Sequence, residues 1–109
     1  MPGYLIVEVT VTDDSWIPAY TAEVHKIAQR HGGRYLTRTN NIEVIEGEDQ
    51  GLSAIVLIEF PSVEAAKAFH ADPDYAPLMA MRKGGATSRF TIVDAADLAG
   101  VVLDPPAPG

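Results

Sequence analysis

The chain has 109 residues, 47% of them hydrophobic, a formal net charge of -7 and no cysteine. Such a length suits one domain, and the hydrophobic share is too high for a disordered chain. A sequence pI of 4.7 argues against a basic stripe for nucleic acid or an anionic membrane surface, and the lack of thiols excludes disulfides, thiolate metal sites and cysteine nucleophiles.

Tyr4 to Val11 is rich in β-branched residues and apolar on both faces, which predicts a strand. Asp13-Asp14-Ser15 stops it and offers a helix N-cap. Pro18 suits a first helical turn, and Ile17, Tyr20, Val24, Ile27 and His31 recur at helical spacing as one buried stripe. Gly32 is expected to end that helix in a left-handed cap. A second strand is expected over Arg34 to Arg38, resuming over Ile42 to Ile45. A turn follows at Gly47 to Gly51, then the most apolar strand, Ser53 to Phe60. Pro61 closes that strand and Ser62 caps the next helix, with Glu64 favourable in its first turn. Asp72-Pro73 stops the helix, because the residue before proline avoids helical geometry. Pro77 opens a short helix through Arg82, Gly84-Gly85 ends it, and Ser88 to Val93 is the last strand.

The order β-α-β-β-α-β predicts an α+β, ferredoxin-like domain over residues 1–94, with 95–109 as a flexible tail. Helices cover one face of the antiparallel sheet, yet the first and third strands are apolar on both. The uncovered face therefore needs a partner, and a second copy is the simplest one. A homodimer with facing sheets is expected. A domain this small buries only about 60–65% of its unfolded surface, so a partner would help its core. No segment reads as a signal peptide or reaches the roughly 20 apolar residues of a membrane span, so a cytoplasmic location is expected.

The segments HGGRYL, EVIEG, IEFPSVEAAKAF and DPDYAPL followed by Arg82 resemble the DUF1330 family, a domain of unknown function. The resemblance covers Tyr4 to Val93. That family is similar to the wider dimeric α/β-barrel superfamily. The resemblance implies the ferredoxin-like fold and a dimer, and little about reaction. The wider superfamily includes cofactor-independent monooxygenases, muconolactone-type isomerases, polyketide cyclases, haem-dependent dismutases and decolorising peroxidases. Fold analogy alone does not assign a reaction.

Glu59 sits in the most apolar run, where a carboxylate is costly unless paired or protonated. It is either a general base or acid in a pocket, or the partner of an arginine such as Arg34, Arg38 or Arg89. Glu8 raises the same question, and the two carboxylates approach each other if they share a sheet face. His70 is a second candidate proton carrier, near the end of its helix. His31 reads as structural at a helix C-terminus. No histidine pair stands at metal-binding helical spacing, and a haem site has nothing to favour it. Arg38 and Arg82 can hold an anionic group by bidentate contact, and Tyr75 can close a pocket. Tyr20, Tyr35 and Tyr75 can line a pocket or hold an oxyanion through the phenol, although Tyr20 belongs first to the buried stripe, and Trp16 to the helix entry. The glycine pairs follow helices, so they are not phosphate loops.

These residues lead to a dimer with one apolar pocket per subunit for a small aromatic or lactone-like molecule, without an organic cofactor. The leading reaction class is isomerisation, cyclisation or dehydration, with Glu59 and His70 catalytic and Arg38, Tyr75 and Arg82 binding substrate. A non-catalytic binding or assembly module is the first rival, and cofactor-free oxygenation of a phenol the second. An arginine-paired Glu59 favours the module.

Overall fold

The structure is a computed structural model that describes residues 1–100. Its elements are β1 (Gly3–Val11), α1 (Ile17–Arg30), β2 (Arg34–Thr39), β3 (Ala54–Phe60), α2 (Val63–Ala71), α3 (Ala76–Gly85) and β4 (Ala86–Asp94). The four strands form one sheet in the order β2-β3-β1-β4, with every neighbouring pair antiparallel. This is the expected ferredoxin-like α+β fold. The three helices lie on one face, and the core forms there from Leu5, Val7, Ile58, Phe60, Phe69 and Leu78.

The helix ends follow their sequence signals. The N–H of Gly32 donates to Gln29 O at 2.9 Å and that of Gly33 to Ala28 O at 2.8 Å, closing α1 in a Schellman motif. Gly32 adopts φ +79°, the left-handed conformation that this motif requires. The Ser62 hydroxyl accepts from the Ala65 N–H at 3.0 Å and caps α2. At the end of α2, Asp72 meets His31 Nε2 at 2.8 Å and Arg30 at 3.0 Å, joining the ends of both helices. The His31 hydrogen bond, more than any other contact, holds the Asp72 carboxyl below its usual range.

Three expectations change. Ile42 to Ile45 is not a strand: pairing of β2 with β3 stops at Thr39 opposite Ile55, and β3 begins one residue earlier at Ala54. No length of β3 remains to pair with residues 42–45, and Ile45 is left exposed. The N-cap of α1 is Trp16 rather than the acidic triplet. Asp13 instead accepts the Ser15 N–H at 3.0 Å. α3 continues to Gly85, where β4 begins at once. Of the expected tail, Ala95 still donates its N–H to Pro2 O at 3.1 Å, and residues 101–109 lie outside the described ones. Among the described residues no helix is long and apolar enough to cross a membrane.

Candidate functional site

α2 and α3 rest directly on β1 and β4, whereas α1 leans on α3 and α2. Between α1 and the sheet lies a cavity of about 180 Å³. An apolar cavity of about 150 Å³ is enough for one benzene ring, so this one is sized for a single ring with a small substituent. Its floor is apolar: Val7, Val9 and Val11 from β1, and Ala54, Val56 and Ile58 from β3. α1 supplies the roof with Trp16, Ile17, Tyr20 and Val24.

The edge strand β2 gives the cavity its first cation. Tyr35 pairs with Ile58 and Thr37 with Leu57, so Leu36 is an extra, bulged residue. The bulge puts Tyr35 and Arg38, three residues apart, on the helix side together. Strict alternation would have sent them to opposite faces. The Arg38 guanidinium carbon stands 4.9 Å from the centre of the Tyr35 ring. Arg38 itself is exposed and marks the mouth. Burial raises the Tyr35 phenol pKa, and Arg38 opposes that rise.

The second cation lies deep. Arg82 of α3 is 5% exposed, with its guanidinium carbon 4.3 Å from the centre of the Phe90 ring. Its Nε has no hydrogen-bond partner, and it joins no salt bridge among the described residues. An unpaired buried charge costs several kcal/mol, and a cation–π contact returns only about 0.5–2. The shortfall suits an anionic group supplied by a ligand.

Beside Arg82, the hydroxyls of Tyr20 and Tyr75 lie 2.6 Å apart. Burial, and next the neighbouring Tyr75 phenol, raise the Tyr20 phenol far above its ordinary pKa, with Arg82 pulling the other way. Tyr20 is therefore a neutral donor. The Trp16 indole N–H is also buried without a partner, and the ring packs edge-on to Tyr20 at 5.0 Å. A side chain at Gly85 would overlap the indole, so only glycine lets Trp16 fold over the cavity.

The chain matches the model for Domain of unknown function (DUF1330) over residues 2–96. It belongs to that family. No curated protein matches it. Among solved structures, it is similar to a protein of unknown function from Rhodopseudomonas palustris, with a TM-score of 0.72, 18% identity and coverage of 88% of this chain and 83% of that one. SnoaB, a cofactor-independent oxygenase from Streptomyces nogalater, superposes with a TM-score of 0.62 at 15% identity, covering 92% and 98% of the two chains. Rv0793 from Mycobacterium tuberculosis gives 0.52 at 16% identity, covering 92% and 100%. These likenesses establish a shared fold.

The DUF1330 chain brings two of the five expected site residues, Arg38 and Arg82, to one cavity. Tyr75 does not close the pocket. It is fully buried behind two lining residues, Tyr20 and Phe69, and does not itself line the cavity. His70 lies outside, between the rings of Tyr75 at 5.9 Å and Phe90 at 5.7 Å, over a shallow groove with Leu5 and Lys67. Burial, and then the charges of Arg82 and Lys83, lower its pKa. Glu59 is on the opposite face of the sheet, 3.1 Å from Arg34, its register partner on β2. Glu8 shares that face but lies opposite Ile55, four residues along β3, so at about 3.3 Å per residue the carboxylates stand far apart.

Tyr20 and Tyr35, two of the three tyrosines that were candidates to line a pocket or hold an oxyanion, line this cavity, and Trp16, expected only at the helix entry, joins them. The helical stripe showed that Tyr20 is buried, but not that the stripe stands off the sheet. No Asp, Glu or His among the described residues lines the cavity. Among the described residues, no three such side chains gather as metal ligands.

Proposed function

We propose that this protein binds a small, single-ring molecule bearing one anionic oxygen group in the cavity beneath α1. The observation that carries this reading is Arg82: a guanidinium buried in an apolar cavity with no carboxylate among the described residues to meet it. The size of the cavity sets the ring, and Arg38 at the mouth attracts the anion. A carboxylate base at Glu59 has no part in this pocket, since the sheet separates them. The pairing of Glu59 with Arg34 favours a binding role over isomerase, cyclase or dehydratase chemistry driven by that residue.

Arg82→Met tests the reading. Loss of an unpaired buried charge should stabilise the ligand-free protein by about 1 kcal/mol, while binding of benzoate, followed by the fluorescence of Trp16, should weaken at least about tenfold. A variant that is less stable and binds benzoate unchanged would remove Arg82 from the site. Trp16 is the chain's single tryptophan, so the signal comes from the cavity wall.

A second reading is cofactor-free oxygenation of a phenol or enol. Two cations and no base would stabilise an electron-rich oxyanion, and the fold likeness to an oxygenase described as cofactor-independent agrees with this. Oxygen uptake with a hydroxylated or quinone product is its signature.

For assembly, we propose a homodimer through the open sheet face. Tyr4, Ile6, Ile55 and Leu57 lie together there, half-buried, and no helix among the described residues covers them.

A further inference from the structure

We infer that Tyr20 is an oxyanion donor, that Tyr75 positions it, and that with Arg82 it selects ligands whose weakly acidic oxygen, a phenol or an enol, is bound as the anion. This rests on the cavity being the ligand site and names the class of ligand it takes.

A phenol has one proton to donate. Tyr75 is fully buried, and its hydroxyl has one hydrogen-bond partner among the described residues, the Tyr20 oxygen at 2.6 Å. If Tyr20 donated to Tyr75, the Tyr75 proton would be buried with no acceptor, which costs about 1–3 kcal/mol. Tyr75 therefore donates, and the Tyr20 proton is free for an acceptor in the cavity that Tyr20 lines. The buried Tyr75 ring packs on Phe69 at 4.9 Å between centres, so the donor to Tyr20 is fixed by packing.

The surrounding charges agree with this polarity. The charge of Arg82 acts on Tyr20, and that of Arg38 on Tyr35. Tyr75 influences both of these phenols. β1, β3 and β4 give the cavity only apolar side chains, and α2 gives Phe69. Outside it, His70 of α2 and Lys83 of α3 sit near Arg82 and carry no negative charge. Tyr20, Tyr35, Arg38 and Arg82 thus face one space, with Tyr75 behind Tyr20 and no carboxylate of the described residues among them. Fixed donors in a dry site stabilise developing negative charge on oxygen more strongly than water-exposed ones do.

A carboxylate is already ionised and needs only the cation. A phenol or enol gains from both the cation and a neutral donor, and here the sign of the effect is diagnostic. An apolar cavity by itself disfavours the charged form and would raise the pKa of a bound phenol. A lowered value requires Arg82 and Tyr20 to outweigh that burial.

The experiment is a spectrophotometric pH titration of para-nitrophenol bound to the full-length protein, with para-nitroanisole and benzoate as binding controls. The expected result is at least an about tenfold preference for the phenolate over the phenol, equivalent to lowering the bound pKa by about one. Tyr20→Phe should abolish most of that preference and weaken phenolate binding much more than para-nitroanisole binding. Tyr75→Phe should reduce it partly, because Tyr20 loses the donor that orients it. Should Tyr20→Phe fold poorly, Tyr75→Phe and the wild-type titration decide alone. Binding of all three compounds with an unshifted or raised nitrophenol pKa would overturn the oxyanion assignment and leave the pocket standing. Failure of all three to bind would overturn the pocket and the assignment together.

Discussion

Leu5, Val7 and Val9 of β1 face the helices and are at most 7% exposed, whereas Tyr4, Ile6, Glu8 and Thr10 on the same strand face the open side and are only half-buried. Both faces carry apolar side chains, and both carry charge. They differ in how the charge is partnered. On the open face Glu59 is bridged to Arg34, and Glu8 stands opposite Arg89 in the strand register. On the helix face Arg82 is more deeply buried and has no such partner. A buried charge that the chain has not neutralised for itself is better evidence of a site than a carboxylate in an apolar run.

The largest effect that would sharpen this contrast is a truncation on the helix face. Leu5→Ala should cost about 3 kcal/mol in chemical denaturation at any protein concentration, because it leaves a cavity in a packed core. On the open face the corresponding change should act through association. Leu57→Glu should give a folded monomer in light scattering, with a melting temperature that no longer depends on concentration. A wild-type protein that is already monomeric at micromolar concentration would refute the facing-sheet dimer, and the open face would then be solvent-exposed. Smaller again is Glu59→Gln. Its partner Arg34 is 72% exposed on its side chain, so the loss should stay within about 1 kcal/mol in thermal unfolding, with benzoate affinity untouched. A tenfold fall in affinity would bring the two faces into communication.

The smallest expected effect concerns neither face, but the joint between helix ends. The folded Asp72 carboxyl is held below its unfolded value of 3.8. Its stabilising contribution is therefore present above 3.8 and is lost as pH falls through the lower folded value. Asp72→Asn should flatten the acid limb of the melting profile and leave the binding of neutral para-nitroanisole as it was.

Much of the fold was legible because local signals agreed with one another. The β-branched run of β1, the glycines after α1 and the serine before α2 each mark a boundary that the structure keeps. The mis-assigned segment was Ile42 to Ile45, which has strand composition but no strand to pair with; pairing is a property of the partner's length. Arg38 and Arg82 were readable as anion-binding types, although their meeting in one cavity depends on a bulge at Leu36 and on α1 standing off the sheet. Tyr20 was readable as a pocket phenol but belonged first to the core, because a stripe of buried residues looks the same whether it meets a packed core or a space. Glu59 misled for the opposite reason. An apolar run can hide which of its residues face solvent or a neighbouring strand's arginine, and the register that decides this is set elsewhere in the sheet.

The extra residue at Leu36 has an effect beyond the cavity. β2 is an outer strand, and a regular outer strand offers an unbroken row of backbone donors and acceptors on which another chain can polymerise. The surplus residue interrupts that row and increases the local twist. An incoming strand would fall out of step halfway along. The irregularity that turns a guanidinium inward thus also guards this side of the sheet against aggregation.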